Sequence, residues 1–240
     1  WTPIKPTLKR IADIKDRKEY QLVTAELDRD GEGTMMFGIG IDGDMRNADW
    51  NIVSIGQGGL GLGSRDYYVS DDEQNKRVLE AYKNYLKTLF VMTGNDEATA
   101  EKKMQAVLAI ETRIAKASYD QVKLRDINAN YHKLTYTQLV REYPGIDWGN
   151  VFLLSGLPAV KEVVVYQPEP LHEVEKVLAE TSLDDLKSYA EARIITGASS
   201  QLSDDFRAEA FKFGSVLSGT KQDRPRWKRA VSLVSGTLGE

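Results

Sequence analysis

Apolar residues recur every three or four positions through the middle of this 240-residue chain, and that spacing constrains the fold more than any other feature. Ser70-Asp71-Asp72-Glu73 has the pattern of a capping box, which predicts a helix start at Ser70. The stripe that follows consists of Val78, Leu79, Tyr82, Tyr85, Leu86, Leu89 and Phe90. Gly94-Asn95 ends this helix, and a second stripe contains Met104, Val107, Leu108, Ile114 and Ala115. Two such helices joined by a short turn favour an antiparallel helical hairpin.

Capping signals predict further helices in the second half of the chain. Thr135-Tyr136-Thr137-Gln138 is another capping box, and its helix must end before Pro144-Gly145. Further helix starts, marked by a serine cap or by a proline suited to the first turn, are expected at Pro168, Ser182, Ser203 and Pro225. The apolar stripe after Pro225 is unfinished where the sequence stops, so we expect the natural chain to continue beyond Glu240.

Two segments have extended character. Apolar residues alternate with glycine and aspartate from 34 to 56, and turn-forming residues interrupt this run, which predicts a small antiparallel β-hairpin at about residues 35–56. Val163-Val164-Val165-Tyr166 is a β-branched run typical of a strand. No repeat or flexible linker separates these elements. We therefore predict a mainly α fold, one compact multi-helix region spanning residues 1–240 with a single small hairpin.

Composition excludes several classes of function. The absence of cysteine rules out a disulfide scaffold, a thiolate metal site and a cysteine nucleophile. Only two histidines, His132 and His172, are present, and a catalytic zinc site usually needs two or three histidines with a carboxylate. The formal net charge of −4 argues against a general nucleic-acid-binding protein. No apolar run approaches the roughly 18 residues that span a bilayer.

Three local motifs resemble ligand sites but depart from them. Gly56–Gly61 fits G-x-G-x-x-G, yet no helix follows directly, so an irregular loop is favoured over a dinucleotide site. Asp28–Gly33 resembles the start of a calcium-binding EF-hand loop, but Ile39 occupies the position of the bidentate glutamate. His172–Lys176 is a near miss to HExxH, because Lys176 replaces the second zinc-binding histidine.

A basic cluster lies near the end of the chain. It comprises Lys221, Arg224, Arg226, Lys228 and Arg229, with Trp227 among them. Since the chain as a whole is acidic, a solvated helix face or an inter-domain salt-bridge surface is favoured over a nucleic-acid site.

Several segments, taken in order, resemble the neprilysin and endothelin-converting-enzyme family of zinc metallopeptidases, especially its bacterial oligopeptidase O type. Gly56–Tyr68 resembles the family's G-Q-x-G-L-G-L-P-x-R-D-Y-Y stretch. The other similar segments are Asn130–Thr135, Val163–Pro168, Leu217–Thr220 and Arg224–Arg229, the last matching R-P-R-W-K-R. Gly63 replaces the usual proline, which should loosen the loop. Ala230 stands where animal members carry a cysteine, so a bacterial member fits better.

The resemblance implies that this chain is the N-terminal, non-catalytic part of a larger peptidase. In the family, the HExxH motif and the third zinc ligand lie C-terminal to the W-K-R helix, and the substrate-reading arginine lies upstream of the matched region. We therefore expect no catalytic or metal-binding residue and no bound cofactor here, with zinc held in the parent enzyme. The helical region would enclose the active-site chamber and restrict substrates to peptides.

The resemblance also suggests partners, a location and candidate residues. The implied partners are the parent's C-terminal zinc catalytic domain and its peptide substrates, with no nucleic acid and no membrane segment. Export to the periplasm or surface of a bacterium is implied, with a cytoplasmic location left open. Candidate structural loop residues are Arg65, Asp66, Tyr67 and Tyr68, with Arg65 and Asp66 expected to form a charged anchor. Candidate inter-domain surface residues are Trp227, Val231 and Val234.

Two other functions remain open at this point. A stand-alone helical module could dock a protein partner or a second copy through its last helix. A nucleotide-binding enzyme would require the G-x-G-x-x-G segment to form a phosphate-binding loop.

Overall fold

The computed structural model describes residues 1–157 and 159–239, so Glu240 and any continuation beyond it lie outside the described residues. Within these ranges the chain is mainly helical, as predicted. The helices are α1 Lys5–Ala12, α2 Arg17–Arg29, α3 Asp66–Val69, α4 Glu73–Met92, α5 Glu97–Ala117, α6 Tyr136–Glu142, α7 Trp148–Leu154, α8 Pro168–Glu180, α9 Leu183–Ala198, α10 Asp204–Ser218 and α11 Arg226–Leu238. The strands are β1 Phe37–Asp44, β2 Asn47–Gln57, β3 His132–Thr135 and β4 Glu162–Val165.

Helices α4 and α5 form the predicted hairpin, but α4 starts two residues later than its sequence suggests. Asp72 is the N-cap, and its carboxylate accepts the Gln74 and Asn75 N–H groups at 2.9 and 3.1 Å. Ser70 instead accepts the Asp72 N–H at 3.1 Å, so the prediction of Ser70 as the cap is wrong. A carboxylate also interacts favourably with the positive end of the helix dipole. The capping box at Thr135 is confirmed.

The predicted hairpin is present, but it is only half of the sheet. β1 and β2 pair antiparallel across a turn at residues 45–46, β4 pairs parallel with β2, and β3 pairs antiparallel with β4. The strand order is therefore β1-β2-β4-β3. The valines of β4, Val163–Val165, are all buried, which explains why this segment shows no polar alternation. The sequence does not predict β3, because its four residues include a single apolar side chain, Leu134, and so carry no periodic signal.

The core lies between the sheet and the helices. α5 packs against α4, α8 and α9, and α9 is buried on most sides, with Leu186, Tyr189 and Ile194 fully enclosed. α10 contacts α4 through Phe213, whose ring stacks on Tyr85 with centroids 4.8 Å apart. Among the described residues, no helix is long and apolar enough to cross a membrane.

Candidate functional site

The loop of residues 58–65, called here the glycine-rich loop, joins β2 to α3 and lies flat against buried backbone. Gly59 has a φ of +78°, and a Cβ there would lie 2.9 Å from the Met36 carbonyl oxygen. At Gly61 a Cβ would overlap the Tyr82 hydroxyl and lie 2.9 Å from Glu111 Oε1. Both positions leave room for hydrogen only, so the glycines permit close approach of the loop to the core.

Glu111 of α5 lies fully buried beneath this loop. Its Oε1 accepts hydrogen bonds from the Gly61 N–H and the Tyr82 hydroxyl, both at 3.1 Å. Its Oε2 accepts the Tyr68 hydroxyl at 2.9 Å, and Tyr68 in turn accepts the Leu62 N–H at 3.0 Å. These three side chains, Glu111, Tyr68 and Tyr82, are called the Glu111 cluster. They tie the glycine-rich loop, α3 and α4 to α5.

Burial controls the electrostatics of the Glu111 cluster. Loss of solvation raises the pKa of Glu111 to about 7, although the hydrogen bond from Tyr68 and the positive charge of Arg193 act in the opposite direction. Burial likewise raises the pKa of Tyr82 well above its usual value, and the Glu111 charge adds to that effect. Two residues of α9 also hydrogen-bond to backbone near the cluster. Arg193 Nε donates to the Gly33 carbonyl, and the Tyr189 hydroxyl donates to the Gly59 carbonyl, each at 3.0 Å.

The four predicted loop residues lie together but have different roles. Tyr68 is buried in the Glu111 cluster, whereas Arg65, Asp66 and Tyr67 are partly buried. Arg65 Nε donates to the Ala115 carbonyl near the end of α5 at 3.2 Å. The Asp66 carboxylate accepts the Ser64 hydroxyl at 3.5 Å. Within the described ranges no ion pair joins Arg65 to Asp66, so the two side chains anchor the loop separately.

The loop geometry disfavours a phosphate site. The N–H groups of Gly61 and Leu62 point inward to Glu111 and Tyr68, and α3, the helix that follows, is a single turn. A phosphate loop needs such N–H groups free at the start of a helix. Gly63 stands where the family's segment usually has proline. Its φ is +74°, which proline cannot adopt, so the backbone conformation at this position is incompatible with that proline.

The residues of the metal-like motifs lie apart from one another. His172 Nδ1 is 3.4 Å from Glu175 on α8, and its ring stacks on Tyr143. His132 lies on β3, 40 residues before His172 in the sequence, and its Nδ1 is 3.1 Å from the Val165 carbonyl oxygen. The acidic turn at Asp28–Gly33 ends α2. Across residues 1–157 and 159–239, no group of three or more histidines or carboxylates could hold a metal ion.

The three inter-domain candidates lie on one stripe of α11. Trp227, Val231 and Val234 are exposed with Leu238, and successive members are three or four residues apart, so all four point in one direction. Trp227 is 64% exposed. These four residues are called the α11 face. No residue that the structure describes in α11 is buried, and in α10 only Phe206 is buried.

The basic cluster next to this face is partly neutralised within the chain. Asp223 accepts Arg207 Nη1 of α10 at 2.5 Å and Arg229 Nη1 of α11 at 3.3 Å. One carboxylate thus links two helices, which fits a salt-bridge surface better than a nucleic-acid site.

Sequence reasoning missed Glu111, although a signal was present. Glu111 lies four residues after Val107 and three before Ile114, so a charged residue occupies a core position of the α5 stripe. A carboxylate is almost never buried without partners. The partners, Tyr68 and Tyr82, are distant in sequence, and only the folded structure brings them to Glu111.

Comparisons with known proteins give concordant results. A model of peptidase family M13, for its N-terminal region, matches residues 1–240. Endothelin-converting enzyme 1 of Rattus norvegicus is 34% identical over 209 residues, covering 85% of this chain and 27% of the relative. The neutral endopeptidase of Lactobacillus helveticus is 26% identical over 239 residues, covering 99% of this chain and 36% of that relative.

A solved structure agrees with the sequence relatives. The crystal structure of the Mycobacterium tuberculosis zinc metalloprotease Zmp1 in complex with an inhibitor matches with a TM-score of 0.93 at 33% identity. That match covers 99% of this chain and 36% of the Zmp1 chain. The chain thus spans about a third of the length of these relatives. With a family model that matches it from end to end, the chain belongs to peptidase family M13.

Proposed function

We propose that this chain forms the non-catalytic helical part of a zinc-dependent endopeptidase and packs against a catalytic part supplied by the rest of a longer chain. The α11 face carries the proposal. Four large apolar residues share one exposed stripe, and such a stripe is typical of a surface that is covered in the complete protein. The relatives support it, since each is about three times longer and they include a neutral endopeptidase and a zinc metalloprotease.

The chemistry of this chain fits a supporting role. Its described residues offer no set of zinc ligands, and the HExxH pattern does not occur in the 240 residues, so we assign no catalytic step to any residue here. In the proposed parent enzyme, this region encloses the active-site chamber and limits substrates to peptides. The parent is expected to be an exported bacterial enzyme, in keeping with bacterial relatives such as that of Lactobacillus helveticus.

The reading frame beyond the last codon provides the first test. We expect an HExxH motif followed by a downstream glutamate in the same frame. A stop codon at this point would contradict the proposal and favour the stand-alone binding module. That module would also form a defined oligomer, which light scattering of the purified chain would detect.

A reconstitution experiment tests the α11 face directly. The purified chain is expected to show no zinc-dependent cleavage of a fluorogenic peptide, and to bind the separately expressed downstream part of the same protein. Trp227→Glu and Val231→Glu should weaken that binding by tenfold or more, because each places a charge in an apolar contact. Leu233→Glu is the matched control, since Leu233 is also an exposed apolar residue and lies on another side of α11. Equal binding by all variants, with unchanged circular dichroism, would refute the role of this face.

A further inference from the structure

The segment of residues 219–239, which contains α11, differs in charge from the rest of the chain. It contains a single carboxylate, that of Asp223, together with all five cations of the basic cluster. The whole 240-residue chain has a formal net charge of −4, so positive charge is concentrated in this one segment. A surface with charge of one sign attracts a partner surface with charge of the other sign.

The ion pairs of Asp223 determine which side of α11 faces the rest of the chain. The Asp223 carboxylate accepts Arg207 of α10 at 2.5 Å and Arg229 of α11 at 3.3 Å. At about 100° per residue, Arg229 lies roughly 140–180° around the helix from each residue of the α11 face. The α11 face therefore points away from the contact with α10.

A groove that combines apolar and basic side chains lies beside the α11 face. It has a volume of about 610 Å³, and its lining includes Trp227, Val231, Arg224 and Lys228. Lys228 Nζ is 5.4 Å from the centroid of the Trp227 ring, so this cation lies next to the apolar surface. An occupant of the groove would contact both kinds of side chain at once.

The two cations of the groove have no carboxylate partner within residues 1–157 and 159–239. Arg224 Nη1 donates to the Ser232 hydroxyl at 3.3 Å, and Lys228 lies against the Trp227 ring. Asp223 also lines the groove, but its carboxylate is already shared by the two arginines that link α10 to α11. An anionic group could therefore pair with both cations without displacing another carboxylate, whereas a cationic group would be repelled.

We propose that the groove and the α11 face bind an acidic amphipathic segment of the downstream part of the longer chain, in which large apolar side chains lie beside two carboxylates. The apolar side chains would cover the α11 face, and the carboxylates would pair with Arg224 and Lys228. The matching family model is that of the N-terminal region, and the relatives are about three times longer, which favours a downstream part as the partner. The inference rests on the proposed function and adds the chemical nature of the partner surface.

The test uses the longer protein, produced intact with a recognition site for a sequence-specific protease inserted after residue 240. The two parts fold together and are then cut apart, and fluorescence polarisation of a label on the downstream part gives their dissociation constant. We expect this constant to rise about tenfold between roughly 20 and 300 mM NaCl, because salt screens charge pairs at a surface. A dissociation constant independent of salt would overturn the inference and leave the apolar contact of the proposed function intact.

Two double variants locate the charges that matter. Arg224→Gln with Lys228→Gln should weaken binding about fivefold at low salt and remove most of the salt dependence. Lys18→Gln with Lys102→Gln is the matched control, because these exposed lysines of α2 and α5 remove the same total charge and have no ion pair within the described residues. Circular dichroism checks that each variant folds. Equal weakening by both double variants, or none by the first, would overturn the inference.

Trp227→Glu separates the inference from the proposed function. It should abolish binding at every salt concentration, because it places a charge within the apolar contact. If the two parts do not bind each other after cleavage, the inference and the proposed function both fail. Saturable binding of the purified chain to phosphatidylglycerol vesicles, with no binding to the downstream part, would identify an anionic membrane as the occupant and overturn the inference.

Discussion

Replacing Gly61 by alanine provides the sharpest test of the loop architecture. A Cβ at this position would overlap the Tyr82 hydroxyl, with the Tyr82 Cζ 2.7 Å away and Glu111 Oε1 2.9 Å away. Either the loop or α4 must shift, and the hydrogen bond from the Gly61 N–H to Glu111 would then lengthen or break. Overpacking of a core costs about 1–3 kcal/mol, and a buried group left without its hydrogen bond costs about 1–3 kcal/mol more. We expect Gly61→Ala to lower the free energy of unfolding by roughly 2–6 kcal/mol in total.

Urea denaturation followed by tryptophan fluorescence and circular dichroism measures this effect. Gly38→Ala is the matched control, because the Gly38 backbone lies against Gly58 of the loop but a Cβ at Gly38 meets nothing within 4 Å. The double variant Gly61→Ala with Tyr82→Phe removes the hydroxyl that the new methyl overlaps. It should be more stable than the sum of the two single changes predicts, by about 1 kcal/mol. A Gly61→Ala protein within about 0.5 kcal/mol of the original, or strict additivity in the double variant, would refute the reasoning.

Three further predictions concern the same region. Burial raises the pKa of Glu111 from 4.5 to about 7, so between these pH values the folded state binds a proton that the unfolded state lacks. The free energy of unfolding, measured against that of Glu111→Gln in melts at several pH values, should therefore increase by about 3 kcal/mol as the pH falls from 8 to 4.5. The same pH dependence in both proteins would contradict this prediction. Gly63→Pro should destabilise the chain by at least about 2 kcal/mol in thermal melts, because proline cannot adopt a φ of +74°, and an unchanged melting temperature would show that the loop takes another path. Arg65→Ala should cost about 1 kcal/mol through the lost hydrogen bond to the Ala115 carbonyl. Asp66→Ala should cost less, since its carboxylate accepts only the long hydrogen bond from Ser64 among the residues that the structure describes. The reverse order in chemical denaturation would refute these assignments.

The helices could be predicted from sequence because their signals are local. The α4 stripe and the Thr135 capping box depend on residues within a few turns of one another, and both are found in the structure. The start of α4 could not be settled in the same way. Ser70 and Asp72 are both good caps, and the choice depends on the extended segment that connects α3 to α4.

The strand pairings of the sheet could be predicted from the sequence only in part. The β1–β2 hairpin joins neighbouring segments, so its pairing could be predicted. β4 pairs with β2 across more than 100 residues, and no local pattern specifies which strand it joins. The short length of the β2–β4 pairing, three residues of an 11-residue strand, likewise has no counterpart in the local pattern.

The sequence by itself determined the helical class of this protein, the β-hairpin and, through ordered motifs, its resemblance to a peptidase family. These properties depend on periodicity and on motifs that are short and local. Only the tertiary structure decided that Glu111 is the anchor of the glycine-rich loop. Its partners come from three elements, and the burial that raises its pKa exists only once α3, α4, α5 and α9 have packed together.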